Sequence, residues 1–207
     1  LSSAQADLVN FDSLAAMSNT PGALVPVANQ LGDDLLSTLG VSFRSGADYV
    51  AVVNHGGAGV TVSPFNVIGS VTAGGLLSYG TPVEILFFDP ANPAVAAVTD
   101  FVRIRGDKSP VPGGVATATL EAFDVFGVSL GTDTAVDTSL GLTLSFSSPV
   151  IHSIRLTQSS AYAGYDGTIA FDDLEFNPLQ AVPLPGAVLL ASVGLSAAGW
   201  LCRRQRA

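Results

Sequence analysis

Across residues 7–178, apolar side chains recur at every second position in short runs, and Gly, Pro, Asn and Asp interrupt them. That period marks half-buried β-strands. Val9 and Phe11 share one face of a first strand at 8–11. Leu39, Val41 and Phe43 alternate with Gly40 and Ser42, and residues 49–53 read as a continuous apolar strand. Val83, Ile85 and Phe87 alternate with Glu84, while Leu86 and Phe88 give the second face partial cover. Val102 and Ile104 point inward and Arg103 and Arg105 outward. Residues 115–123 form a long strand rich in small residues. Leu142, Leu144 and Phe146 alternate with Thr143 and Ser145, and Val150, His152, Ile154 and Leu156 share a face. Residues 27–38 are the one helical candidate in this region, on a weak pattern. Eight or nine strands follow from this spacing.

The last strand, 168–176, breaks its own period. Ile169 and Phe171 stand at odd positions, Leu174 and Phe176 at even ones. A strand keeps all four inside only if one residue is extra, so a β-bulge is predicted at Asp172-Asp173. Phe171-Asp172-Asp173-Leu174 also mirrors Phe11-Asp12-Ser13-Leu14 near the start. Pairing of first and last strands would bring Asp12 toward Asp172 or Asp173. The predicted fold is all-β, an antiparallel β-sandwich of jelly-roll-like form, followed by a single C-terminal transmembrane helix.

That helix comes from a second change of pattern. Residues 186–202 hold no charge and no Asn, Gln, His or Pro. As a helix they span ~25 Å, near the lower limit for a ~30 Å hydrocarbon core. Trp200 lies near one end, and Arg203, Arg204 and Arg206 follow as a basic stop, placed in the cytoplasm by the positive-inside tendency. Gly194 and Ala198 are four apart on a helix thinned by small residues. Ahead of it, Pro183 and Pro185 each fix φ and disfavour helix at the residue before. Residues 182–185 are therefore expected to be extended and accessible, within a linker at 179–185. A plain membrane anchor is the simpler alternative.

With these three parts in this order, residues 182–207 resemble the PEP-CTERM family of bacterial sorting signals. The closest likeness is to the variant with a Val-Pro-Leu-Pro signature, here Val182-Pro183-Leu184-Pro185, followed by Gly186. The resemblance implies recognition by an exosortase, a membrane-embedded cysteine transpeptidase. It also implies removal of the helix and delivery of the body from the inner membrane to the cell surface or extracellular matrix. A sortase signature of the Leu-Pro-x-Thr-Gly type is a poorer match, since Thr and Gly are missing after Leu184-Pro185-Gly186.

The other end agrees with export. Ala4-Gln5-Ala6 before Asp7 has the small-x-small form of a signal-peptidase site, so residues 1–6 read as the end of a signal peptide. The one Cys, Cys202, sits in the tail, so no intrachain disulfide can form. The expected organisation is thus 1–6, a sandwich at 7–178, the linker and motif at 179–185, the membrane helix at 186–202 and a basic tail at 203–207.

All 17 acids fall in the body against five cations there, a net of −12. Such a body repels nucleic acid and attracts divalent cations. Asp12, Asp172 and Asp173 are candidate calcium ligands, calcium taking about 6–8 oxygens. Tyr162 and Tyr165 are a candidate sugar platform, with Tyr49 and Tyr79 as further aromatics. His55 and His152 lack ligand spacing, no nucleophile elbow is assigned, and Glu84, Glu121 and Glu175 are the carboxylates a glycosidase pair would need. Arg105-Gly106-Asp107 fits a hairpin turn. The leading expectation is a non-enzymatic exported surface or matrix protein. The contrasting one is a carbohydrate-binding module for exopolysaccharide, with calcium as a candidate cofactor.

Overall fold

A computed structural model describes residues 6–54, 66–108, 116–136, 140–160 and 169–182. In chain order the strands are β1 (Asp7–Val9), β2 (Met17–Ser18), β3 (Gln30–Leu31), β4 (Val41–Arg44), β5 (Val50–Asn54) and β6 (Asn66–Val71). Next come β7 (Leu77–Ser78), β8 (Val83–Asp89), β9 (Asn92–Val98), β10 (Phe101–Lys108) and β11 (Ala116–Phe123). β12 (Ser129–Val136), β13 (Leu140–Ser145), β14 (Ser153–Ser160), β15 (Ile169–Phe176) and β16 (Gln180–Ala181) complete them. One sheet runs β13-β10-β15-β6-β5-β2, with β1, β3 and β7 joined at its side. The other runs β12-β11-β14-β8-β9-β16, with β4 on β8.

The two sheets share one apolar core. Val102, Ile104, Phe171, Leu174 and Phe176 of the first meet Ile85, Phe87, Leu120, Ile154 and Leu156 of the second. Two aromatic pairs bridge the sheets: Phe87 with Phe176 at 5.2 Å between centroids, and Phe11 with Phe43 at 5.9 Å edge to face. Such pairs add specific geometry to the area that they bury. The continuous apolar run of β5 has a separate cause. Val50 and Val52 face the main core, whereas Ala51 and Val53 join Val67, Val71, Leu77 and Tyr79 in a second cluster on the outer side. Gly69 of β6 packs closely there: a Cβ would lie 2.7 Å from Leu77 Cδ1, and the Leu77 side chain would have to shift.

The alternation holds best where it is most regular. β8 buries Val83, Ile85 and Phe87 with Glu84, Leu86 and Phe88 half-buried, and β11 alternates strictly over eight residues. Several expectations are corrected. Residues 27–38 are not one helix: a 3-10 turn at Val27–Asn29, β3, and a single helical turn at Leu36–Leu39 replace it. Gly32 interrupts the segment and Asp33 is drawn away, accepting from the Ser42 hydroxyl and the Arg44 guanidinium. Leu39 therefore ends a helix rather than starting a strand. Gly40 turns the chain at φ 70, where a Cβ would meet the Phe88 carbonyl at 2.1 Å.

At 150–156 the shared face is broken. Ile151 is fully buried with Ile154 and Leu156, while Val150 and His152 are half-buried. His152 lies between strands, its N–H donating to the Phe123 carbonyl and its own carbonyl accepting from Phe87. Arg105-Gly106-Asp107 is inside β10, not in a turn. Residues 180–181 are strand, so this part of the expected linker at 179–185 is docked rather than free.

Candidate functional site

The bulge in the last strand is present. Along β10 the register steps from Ile104 opposite Leu174 to Arg105 opposite Asp172, which leaves Asp173 as the extra residue. Asp173 takes φ 35, and Phe171, Leu174 and Phe176 are all buried as a result. The step also marks a change of partner on the other side of β15. Phe171 pairs with Ile68 of β6, while Leu174, Glu175 and Phe176 pair with Val9, Leu8 and Asp7 of β1. First and last strands therefore do pair. Asn66 fixes the chain that leaves β1: its backbone N–H donates to the Asp12 carboxylate at 3.1 Å, and its side-chain amide lies 3.0–3.2 Å from the carbonyls of Phe11, Asp12 and Leu14.

The acids gather where the sequence placed them. Asp172 is wholly buried and Asp173 is 8% exposed. The Asp173 N–H donates to Asp172 Oδ1 at 2.8 Å, and Asp173 Oδ1 is buried with no hydrogen-bond partner. Burial raises the Asp173 pKa, the Asp172 charge adds to it, and Asp12 contributes further, against the pull of Arg105 and Arg103. Arg103 itself is paired with Glu175 across the strands. A shallow groove of about 330 Å³ runs over Ala6, Leu8, Arg105, Asp173 and Glu175. The carboxylates meet electrostatically without converging as ligands. Among the described residues no group of three or more His, Cys, Asp or Glu is placed to hold a metal ion. Asp12 and Asp172 each turn an oxygen to a backbone N–H instead.

A second feature stands at the end of the described chain. β16 lies antiparallel on β9, Gln180 opposite Val98 and Ala181 opposite Ala97, and the Val182 N–H donates to the Ala96 carbonyl at 2.8 Å. Val182, the first residue of the expected motif, is thus bonded to the sheet edge. Beside it lies a groove of about 470 Å³ lined by Val98, Phe126, Pro149, Val150, Gln180 and Val182, among others. Phe126 is 84% exposed and Val128 59%. The turn explains this. The Asp124 carboxylate accepts from the N–H groups of Phe126 and Val128, Gly127 follows at φ 75, and the ring is left pointing outward. Sequence reasoning passed over Phe126. Its signal was Asp124-Val125-Phe126-Gly127, a four-residue turn with Asp at its first position and Gly at its fourth.

The remaining candidates sort quickly. Tyr162, Tyr165, His55, Pro183, Leu184, Pro185, Gly186, Arg203, Arg204 and Arg206 lie outside the described residues. Among the described residues no helix is long and apolar enough to cross a membrane. The uncharged run at 186–202 is not among them. Tyr79 is buried and donates to Asn19, and burial pushes its phenol pKa up, so its ring is no sugar platform. His152 donates from Nδ1 to the Ala97 carbonyl and packs edge-on against Phe88. Glu175 lies in the first sheet, Glu84 and Glu121 in the second, where Arg155 stands between them and pairs with Glu84. The spacing Gly127-Val128-Ser129-Leu130-Gly131 does match Gly-x-Ser-x-Gly, which corrects the reading that assigned no such elbow. It runs into β12 rather than through a strand-turn-helix, and the Ser129 hydroxyl donates to Glu121 at 2.7 Å.

No family model matches the chain, and no curated protein matches it. Solved structures with a partial likeness include a DUF4465 family protein from Bacteroides caccae, at 13% identity and TM-score 0.42, covering 87% of this chain and all of that one. Another is the C-terminal domain of a chitobiase from Bacteroides fragilis, at 15% identity and TM-score 0.31, covering 54% of this chain and 70% of that one. A third is a carbohydrate-binding module specific for non-crystalline cellulose, at 8% identity and TM-score 0.34, covering 82% of this chain and all of that one. At such identities and TM-scores these likenesses carry no argument about ligand or activity.

Proposed function

We propose that the chain is an exported, non-enzymatic surface or extracellular-matrix protein, a β-sandwich delivered by its C-terminal tail. The observation that carries this is the sequence of parts in the tail: Val182-Pro183-Leu184-Pro185-Gly186, the uncharged run at 186–202, then Arg203, Arg204 and Arg206. The run is long enough for one thin transmembrane helix, and the arginines hold its end in the cytoplasm. The two prolines keep the motif extended for an exosortase. The end of the described fold supports the reading, because the last bond of β16 falls on Val182, where the motif begins. A signal peptidase acts first, at Ala6. The jelly-roll-like winding belongs to the same reading. After release the acidic body works outside the cytoplasm. The test is fractionation of cells that carry the processing enzyme. The intact chain is expected at the surface or in the matrix, and a chain lacking residues 182–207 in the soluble exported fraction. Identical distributions would overturn the reading.

A second reading, a module that binds the cell's own exopolysaccharide, is favoured by one observation. Phe126 presents an open ring beside a groove that also carries Gln180. Sugar faces stack on such rings while polar side chains take their hydroxyls. Binding of purified exopolysaccharide that disappears in Phe126→Ala would support it, and Tyr162→Ala/Tyr165→Ala tests the rival platform. No binding by the intact protein would rule it out.

A further inference from the structure

The end of the described chain and the most exposed ring among the described residues stand at one end of the second sheet. Phe123, Ser153 and Leu86 form one rung across β11, β14 and β8. Beyond that rung β11 ends in the turn that carries Phe126, and β8 runs on to Asp89 before returning as β9 from Asn92. β16 runs antiparallel to β9, from Val98 toward Ala96, so at Val182 the chain is heading toward that same end. Phe126 and Val182 line one groove.

We propose that, while the tail is inserted, this end of the sandwich rests in the bilayer interface with Phe126 seated among the lipid headgroups. The inference rests on the sorting-tail reading above. Tether length is the main argument. From Val182 to Gly186 the chain advances four residues, at most roughly 14 Å when extended. The headgroup layer on one side is about 5–7 Å thick. Val182 therefore stands no more than about 10 Å outside the headgroups, a distance much smaller than the domain. A domain held that close must lay some surface on the membrane, and the surface beside the tether carries an exposed ring. Apolar side chains held at an interface sink about 5–10 Å into it.

Charge fixes the lipid that suits this contact. Asp124 and Asp89 stand at this end, each accepting turn N–H groups, and Arg155 farther along β14 is paired with Glu84. The contact is therefore apolar in origin, favours zwitterionic lipid, and weakens as anionic lipid is added.

The test uses the full chain in phosphatidylcholine vesicles. Trp200 is the one native Trp, so Trp200→Phe gives a silent background. On that background Phe126→Trp reports the groove, at an exposed position that leaves the core untouched. Val136→Trp reports the opposite end of β12, where Val136 pairs with Thr117. The expected result for the Phe126→Trp chain is blue-shifted indole emission, quenched by brominated acyl chains, while the Val136→Trp chain shows neither change. Partial replacement by phosphatidylglycerol should reduce the quenching in the Phe126→Trp chain. If the chain floats with the vesicles and the two reporters behave alike, the interface pose is wrong and the tail reading stands. If the chain does not float at all, the tail reading fails and the pose with it.

Discussion

The bulge of β15 and the groove beside β16 are the two irregular places on the last strands, and they treat surface in opposite ways. At the bulge, charge is turned in: Asp172 is wholly buried and Asp173 nearly so, with an oxygen left unpartnered. At the groove, an apolar ring is turned out, held there by a turn whose donors are satisfied by Asp124. The first irregularity is imposed by pairing, because one strand must serve β10, β6 and β1 while keeping Phe171, Leu174 and Phe176 inside. The second is local and costs the core nothing. The difference teaches which place is free to be used: a strained, charged knot holds the sheet, while an open ring beside β16 is left available for contact.

The comparison breaks most easily on the aromatics. Phe176→Ala removes a ring that bridges the sheets and should cost ~3–5 kcal/mol, whereas Phe126→Ala should stay within about 0.5 kcal/mol. Denaturant midpoints would show this, and equal losses would mean that Phe126 belongs to the core after all. A smaller effect is expected at Asn66. Asn66→Ala frees the carbonyls of Phe11, Asp12 and Leu14 and should cost about 1–3 kcal/mol. Hydrogen exchange should quicken at the strand edges flanking the bulge and not near Phe126.

The smallest effect concerns pH. The folded-state pKa of Asp173 is raised, so its ionised form opposes folding, and stability is regained as pH falls through that raised value. Asp173→Asn keeps a residue that tolerates positive φ and removes the charge. Its melting temperature should exceed that of the parent at neutral pH, with the gap closing in acid. Calcium chloride should leave the parent's melting curve unchanged. A calcium-dependent rise that Asp173→Asn abolishes would instead make the bulge a cation site.

Much of this was written in the period of two. The parity clash between Phe171 and Leu174 is enough to locate the bulge, and Val83 to Phe88 announce both the buried and the half-covered face of β8. Seven strands escaped: β2, β3, β7 and β16 are two residues each, and the three longer ones lack the alternation. β6 is buried on both faces and carries Gly69 and Ser70, β12 is polar and half open to solvent, and β9 carries Pro93. His152 shows another limit. The connection between Ile151 and Ser153 changes which side faces in, and no local pattern records it. At the C-terminal end of the described fold the sequence suggests a motif but not its setting. That Val182 is bonded to Ala96, and that Phe126 stands beside it, depends on the register of β16 on β9, which is a tertiary fact.

The central claim is that the tail is a transient address on a finished sandwich. Intact-mass measurement of the protein recovered from the surface of cells carrying an exosortase tests it directly. The account predicts a mass that begins after Ala6 and lacks the segment beyond the Val182-Pro183-Leu184-Pro185-Gly186 motif. A mass that retains residues 187–207 through Arg203, Arg204 and Arg206 would contradict it.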